Sequence, residues 1–156
     1  MTMSNKELML ISHLRKNCRQ NLTTMSKSIQ MPISTIFDRI KKYEQSLIIK
    51  HTALIDFTKI GYTAKASFLL KVKREQRDAL KEYLLKNFSV NSIYKVNNDY
   101  DFMIEAVFKD VKEMEDFIEI IEDKFQIRKK EVYHIIDEIR REAFMSDPLT
   151  VQYCAA

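Results

Sequence analysis

A single glycine, Gly61, occurs in the 156-residue chain, where an average composition would hold about 7%. Neither a G-x-G-x-x-G dinucleotide loop nor a G-x-x-x-x-G-K-[ST] phosphate loop can be written with one glycine, so nucleotide chemistry of those two types is excluded. Turns must be made with Asn, Ser, Asp and Lys instead. Only two cysteines are present, Cys18 and Cys154. They are too far apart for a metal-ligand spacing or a disulfide framework, which fits a reducing compartment. The three histidines, His13, His51 and His134, are scattered as well, and no metal or other cofactor is expected. No apolar run approaches the roughly 20 residues of a membrane span, and the opening MTMSNKE lacks the apolar core of a secretion signal. A cytoplasmic protein without a membrane partner is expected. The acidic run from Glu113 to Asp123 is broken by Phe117, Ile118, Ile120 and Ile121. That pattern is the solvated face of a helix rather than a pair of catalytic carboxylates, and no catalytic residue is assigned.

What the chain does have is basic charge at one end. Residues 1–61 hold ten Lys and Arg against four Asp and Glu, an excess of six, whereas residues 62–156 hold sixteen against eighteen. Such asymmetry suggests a nucleic-acid-facing module joined to a second domain. In the N-terminal part, Leu8, Leu10, Ile11 and Leu14 give one apolar face to a helix over residues 6–16. A second short helix is expected after Thr23 as N-cap, with Met25 and Ile29 inward. A third starts at Pro32 or Ile33, where the fixed φ of proline suits a first turn, and runs to about Gln45. Leu47 to Ile49 and Thr52 to Ile55 then read as two short strands around Lys50 and His51.

Three helices followed by a small hairpin are the order of a winged helix-turn-helix, whose third helix enters the major groove of double-stranded DNA. With Ile33, Ile36, Ile40 and Tyr43 inward, Ser34, Thr35, Phe37, Asp38, Lys41 and Lys42 face outward. Ser34 and Thr35 suit base edges or phosphates, and Phe37 suits a thymine methyl. Asp38 suits a cytosine amine, or a bracing contact to Arg39. Arg39 suits a fork onto guanine or a phosphate, and Lys41, Lys42, Arg19 and Lys50 suit phosphates. The competing reading is a solvated basic helix on a structural or protein-binding module.

The C-terminal part alternates in TAKASFLLKVK (residues 63–73), which is a half-buried strand. A helix is expected over 74–87, strands over 90–96 and 100–108, a helix with Val111, Met114, Phe117, Ile118 and Ile121 as its stripe, and a last strand over 125–136. Asn97, Asn98 and Asp99 provide turn chemistry between the middle strands. The order βαββαβ is the ferredoxin-like arrangement. Its sheet has helices on one face, and Leu69 with Ile104 or Met103 leaves the other too apolar for water, so a homodimer through this domain is expected. The expected class is α+β, with a winged helix-turn-helix over 1–61, a ferredoxin-like domain over 62–138 and an extension over 139–156. In that extension Ile139, Ala143 and Phe144 suit a short helix before Pro148.

Several motifs then fall in register with a known family. The run Leu10-Ile11-x-x-Leu14-x-x-Asn17-x-Arg19, the segment TTMSKSIQMPISTIFDRIKKYEQSLI from Thr23, the segment TALIDFTKIGY from Thr52 to Tyr62, and Asn98-Asp99-Tyr100-Asp101 resemble the Lrp/AsnC transcription regulators over roughly Leu8 to Ile136. The resemblance implies a sequence-specific DNA-binding regulator with a RAM-type C-terminal domain. It implies a dimer, with a tetramer or octamer as further assemblies, and a small-molecule effector such as an amino acid. It places effector or assembly contacts at Asn98, Asp99, Tyr100 and Asp101, where the alternative is a tight β-turn with hydrogen-bonding aspartates. Gln30, Pro32, Ser46 and Asn98 replace the family's turn glycine, cap serine, pre-wing glycine and G-D-Y-D glycine. Two other functions stay open: an enzyme on the same scaffold resembling the sirohaem decarboxylases, and an architectural DNA-binding protein without a ligand.

Overall fold

A computed structural model describes residues 3–151, and the chain divides into two compact units. One comprises residues 1–54 together with 139–156, the other residues 55–138.

The first unit is built on three helices, α1 (Asn5–Lys16), α2 (Leu22–Ile29) and α3 (Ile33–Ser46). Helix α1 opens with a capping box. The Ser4 hydroxyl accepts from the Glu7 backbone N–H, and the Glu7 carboxylate accepts in return from the Ser4 backbone N–H at 2.9 Å. Helix α2 is capped by Asn21, whose side chain accepts from the Thr23 N–H. Thr23, expected as the cap, lies inside the helix, because the shorter reach of Asn21 to the N2 amide closes the turn two residues earlier. Helix α2 ends at Gln30, which adopts a left-handed conformation with φ 54°, a place that favours glycine. The Ser26 hydroxyl, donating to the Met31 carbonyl at 2.6 Å, ties down the short link to α3. Helix α3 begins after Pro32 without a side-chain cap. Leu10, Met25, Ile29, Ile36 and Tyr43 fill the small core between the three helices.

Three further expectations for this unit fail. Ile33 is 45% exposed rather than inward. As the first residue of α3 it lies a turn before the packed stripe of Ile36, Ile40 and Tyr43. The two strands expected around Lys50 and His51 do not form: residues 48–56 contain no strand, and Ile49 is 99% exposed. That stretch has no Asn-Gly or Asp-Gly pair to close a two-residue hairpin, and an isolated hairpin is marginal in water. The helix expected at Ile139, Ala143 and Phe144 is also absent from the described residues, the backbone there being irregular with positive φ at Glu142 and Met145. This stretch belongs to the first unit, and the Arg15 guanidinium on α1 holds it by donating to the Phe144 and Glu142 carbonyls and to the Glu142 carboxylate at 3.0 Å.

The second unit is a four-stranded antiparallel sheet in the order β2-β3-β1-β4. Its strands are β1 (Ala64–Val72), β2 (Val90–Lys95), β3 (Phe102–Phe108) and β4 (Ile127–His134), with α4 (Arg77–Lys86) and α5 (Val111–Lys124) in the connections. Strand β1 alternates buried and half-buried residues without a break, so each second side chain enters one core. Ala66, Phe68, Leu70 and Val72 meet Ile104, Ala106 and Phe108 of β3, Leu80 and Leu84 of α4, and Met114, Phe117 and Ile121 of α5. Phe68, Phe108 and Phe117 form an aromatic trio with ring centroids 5.2–6.2 Å apart, geometry that adds about 0.5–1.5 kcal/mol per pair beyond burial. Ile104 is fully buried beneath the helices and pairs with Phe68. The expectation that it sits on the uncovered face is therefore corrected: it is the odd-numbered neighbours that face out. Leu69 pairs with Met103, and Met103 with Tyr94. Leu69 also pairs with Glu131, and Ser67 with Tyr133, so these residues form the opposite face.

Candidate nucleic-acid interface and sheet-edge turn

Helix α3 turns about 100° per residue, and its burial divides it cleanly. Ile36 and Tyr43 are buried and Ile40 is half-buried. Ser34, Phe37, Asp38, Lys41 and Lys42 are exposed, and Thr35 and Arg39 lie on the flank between the two arcs. Phe37 is 47% exposed. The Lys41 ammonium stands over its ring, 4.5 Å from the centroid, the i,i+4 neighbour on the same face.

Arg39 is engaged inside the unit. Its guanidinium pairs with the Glu7 carboxylate on α1 and is 38% exposed, Glu7 being 16% exposed. The Tyr43 hydroxyl donates to the same Glu7 oxygen at 3.1 Å. Asp38, expected to accept from a cytosine amine or to brace Arg39, is exposed, and it is Glu7 that pairs with Arg39. Hydrogen bonds from the Ser4 backbone and hydroxyl, then from Tyr43, with the Arg39 charge, hold the Glu7 carboxyl down to about 2. Burial, the largest influence on Tyr43, pushes its phenol up. Arg19, Lys42 and Lys50 are exposed and make no ion pair with any described residue.

The histidines do separate things. His13 is buried, its two ring nitrogens bonded to Gln20 Oε1 and Ser28 Oγ at 2.9 Å each. His51 lies 3.1 Å from Glu44, and His134 is exposed at the end of β4. Among the described residues no group of His, Cys, Asp and Glu is placed to hold a metal ion. Cys18 is exposed and Cys154 lies outside the described residues.

In the second unit, residues 97–99 lie in a turn as expected, Asn98 and Asp99 having φ of 53° and 71°, which extended strand does not allow. Tyr100 and Asp101, expected as the first residues of the strand, still belong to this connection, and β3 begins at Phe102. Asp101 points inward. It is 8% exposed, accepts from the Val72 N–H at 3.0 Å, and pairs with Arg77 at 2.8 Å and Lys71 at 3.7 Å. Asp99 is exposed, 3.9 Å from Lys129. The Tyr100 hydroxyl donates to Glu131, as does that of Tyr133, and the Lys129 ammonium lies over the Tyr100 ring at 4.5 Å. Those two phenols, Tyr100 first, hold the Glu131 carboxyl below the usual range. Sequence reasoning missed Glu7, Lys129 and Glu131 as partners, since each acts on a residue far away in sequence and no local spacing marks it.

A three-helix unit joined to a ferredoxin-like sheet defines a two-domain α+β protein, and comparison with known proteins narrows this. Residues 65–143 match the Lrp/AsnC ligand binding domain, half of the chain. The transcriptional regulator FL11 of Pyrococcus abyssi is 31% identical over 113 residues, covering 72% of this chain and 75% of FL11. An uncharacterized HTH-type transcriptional regulator of the same organism is 26% identical over 140 residues, 89% of this chain and 95% of its own. Among solved structures, LrpC of Bacillus subtilis superposes with a TM-score of 0.81 at 19% identity, over 90% of this chain and 99% of LrpC. A transcriptional regulator of Neisseria meningitidis in complex with L-Met superposes at 0.82 and 16% identity, over 90% and 94%. The chain belongs to the Lrp/AsnC family.

Proposed function

We propose that the protein is a DNA-binding transcription regulator in which α2 and α3 act as a helix-turn-helix. The observation that carries this reading is the outward arc of α3, where hydroxyl, aromatic and basic side chains stand free of the core in the unit that holds the chain's positive excess. Helix α3 enters the major groove. Ser34, Thr35, Phe37 and Asp38 meet base edges, and Lys41, Lys42, Arg19 and Lys50 meet phosphates. With no hairpin in residues 48–56, Lys50 reaches DNA from an irregular segment rather than from a wing. The named relatives, which are HTH-type transcriptional regulators, support the same reading, and they favour regulation over catalysis.

The working unit is a homodimer. Leu69, Met103, Tyr94 and Tyr133 share the sheet face that carries no helix, and a second copy of this sheet is the cover that matches it in shape and polarity. The turn at Asn98–Asp101 divides into two parts. Asp101 is structural, while Asn98, Asp99 and Tyr100 stay available to an effector or to assembly. An amino acid is the ligand class that the L-Met complex of the Neisseria relative supports. Footprinting on the DNA upstream of the protein's own coding sequence, with sedimentation velocity of the free protein, tests both parts. Two protected half-sites about 34 Å apart, or a multiple of that, are expected from a dimer. A single unpaired half-site with a monomeric boundary in sedimentation would overturn the dimeric reading.

A further inference from the structure

Arg39, expected to fork onto guanine or to meet a phosphate, is not on the outward arc of α3. On a helical wheel the exposed positions centre on Ser34, Phe37, Asp38 and Lys41, neighbours at helical spacing on one face. Arg39 lies on the far flank, held by Glu7, and the Tyr43 hydroxyl occupies the same carboxylate oxygen. Taking Arg39 to a base edge would strip Glu7 of its charge partner. On the outward arc stands instead a large aromatic ring, Phe37, which is 47% exposed. Its neighbour Lys41 supplies positive charge directly over it. A half-exposed phenylalanine offers apolar area that an apolar group of a partner can cover. In a major groove lined with polar edges, the one apolar group on offer is the C5-methyl of thymine.

We propose that Phe37 is the specificity-determining residue of α3, reading thymine methyl groups, and that Arg39 is a positioning residue that fixes the angle of α3 through Glu7 and reads no base. This rests on the DNA-binding reading above. Lys41 serves both partners: it leaves the ring for the adjacent phosphate as the methyl arrives, so the charge is not trapped against the base.

The test alters the DNA before the protein. An operator fragment obtained by footprinting is remade with deoxyuridine for thymine, which removes the methyl alone, and separately with 7-deazaguanine, which removes the N7 acceptor of an arginine fork. Deoxyuridine should weaken wild-type binding about fourfold for each methyl lost, the worth of one buried methyl-sized group. The variant F37A, changed at an exposed position that leaves the fold intact, should no longer distinguish thymine from deoxyuridine. The variant R39K keeps the charge opposite Glu7 and loses the fork. It should preserve the thymine preference and respond to 7-deazaguanine as wild type does. Equal affinity of wild type for both pyrimidines would overturn the role of Phe37, as would an undiminished deoxyuridine penalty in F37A. A 7-deazaguanine penalty present in wild type and in K41A but absent in R39K would restore Arg39 as a base reader. Failure to bind any duplex at low salt would instead overturn the DNA-binding reading itself.

Discussion

Replacing Glu7 by glutamine removes the charge that three elements share, the α1 cap, Arg39 and Tyr43. The folded-state carboxyl sits at about 2, against an ordinary value of 4.5. At about 1.36 kcal/mol per pKa unit this bounds the contribution of the ionised form at about 3 kcal/mol. Part of Arg39 faces water, and the glutamine amide would retain some of the cap hydrogen bonds. A loss of about 2 kcal/mol from the first unit at pH 7 is therefore the working figure, in line with the roughly 1.5–3 kcal/mol of a hydrogen bond to a charged group. The folded pKa is depressed, so the stabilisation is complete above the unfolded value near 4.5 and is lost as pH falls toward 2. The gap between wild type and Glu7→Gln should shrink to less than half by about pH 3. Hydrogen exchange of the α1, α2 and α3 amides in the full chain, followed by mass spectrometry at pH 7, 5 and 3, reads the gap within the unit concerned. Other carboxylates titrate equally in both proteins and cancel. A difference of the same size at pH 3 and pH 7 would refute the reasoning, because it would mean that Glu7 acts by shape rather than by charge.

Other consequences are simpler to state. Lys42→Ala should weaken binding to all sequences and lower the slope of log affinity against log salt by about one, measured by anisotropy at several salt concentrations; an unchanged slope removes Lys42 from the phosphate set. Asp101→Ala should cost about 2–4 kcal/mol in urea unfolding of the second unit, since it orphans the Val72 N–H and the Arg77 charge. Phe68→Ala, at the centre of the aromatic trio, should cost about 3–5 kcal/mol in the same assay. Gln30→Gly should stabilise the first unit by about 0.5–1 kcal/mol, because the left-handed φ of 54° strains a side chain that glycine lacks.

Much of this molecule is legible in its pattern of apolar residues. The alternation of residues 64–72 and the 3-4 stripe of α5 each face a single core, and periodicity reports a single core well. Places where the pattern misleads have physical causes too. Leu47 to Ile49 and Thr52 to Ile55 look like strands by composition, but strand formation needs a partner or a turn, and this segment has neither among the described residues. Ile33 continues the α3 stripe in sequence while lying beyond the packed core in space. Arg39 shows the limit most clearly. Its position on α3 suggests a contact to DNA, and only the distant Glu7, which the i+4 neighbour Tyr43 also bonds, shows its guanidinium engaged inside the unit. The turn at residues 97–99 was readable as turn chemistry, whereas the inward aim of Asp101 depends on Arg77 and Lys71, which no spacing rule connects to it.

The central claim is that α3 belongs to a DNA-binding unit. The most direct test is an anisotropy titration of the full chain against its own upstream DNA and a random duplex of equal length, each at about 50 and 200 mM salt. Tighter binding to the upstream DNA is expected, with a loss of roughly 10³-fold or more between the two salts if about six or more phosphates are neutralised. Equal and weak affinity for both duplexes at the lower salt would contradict it.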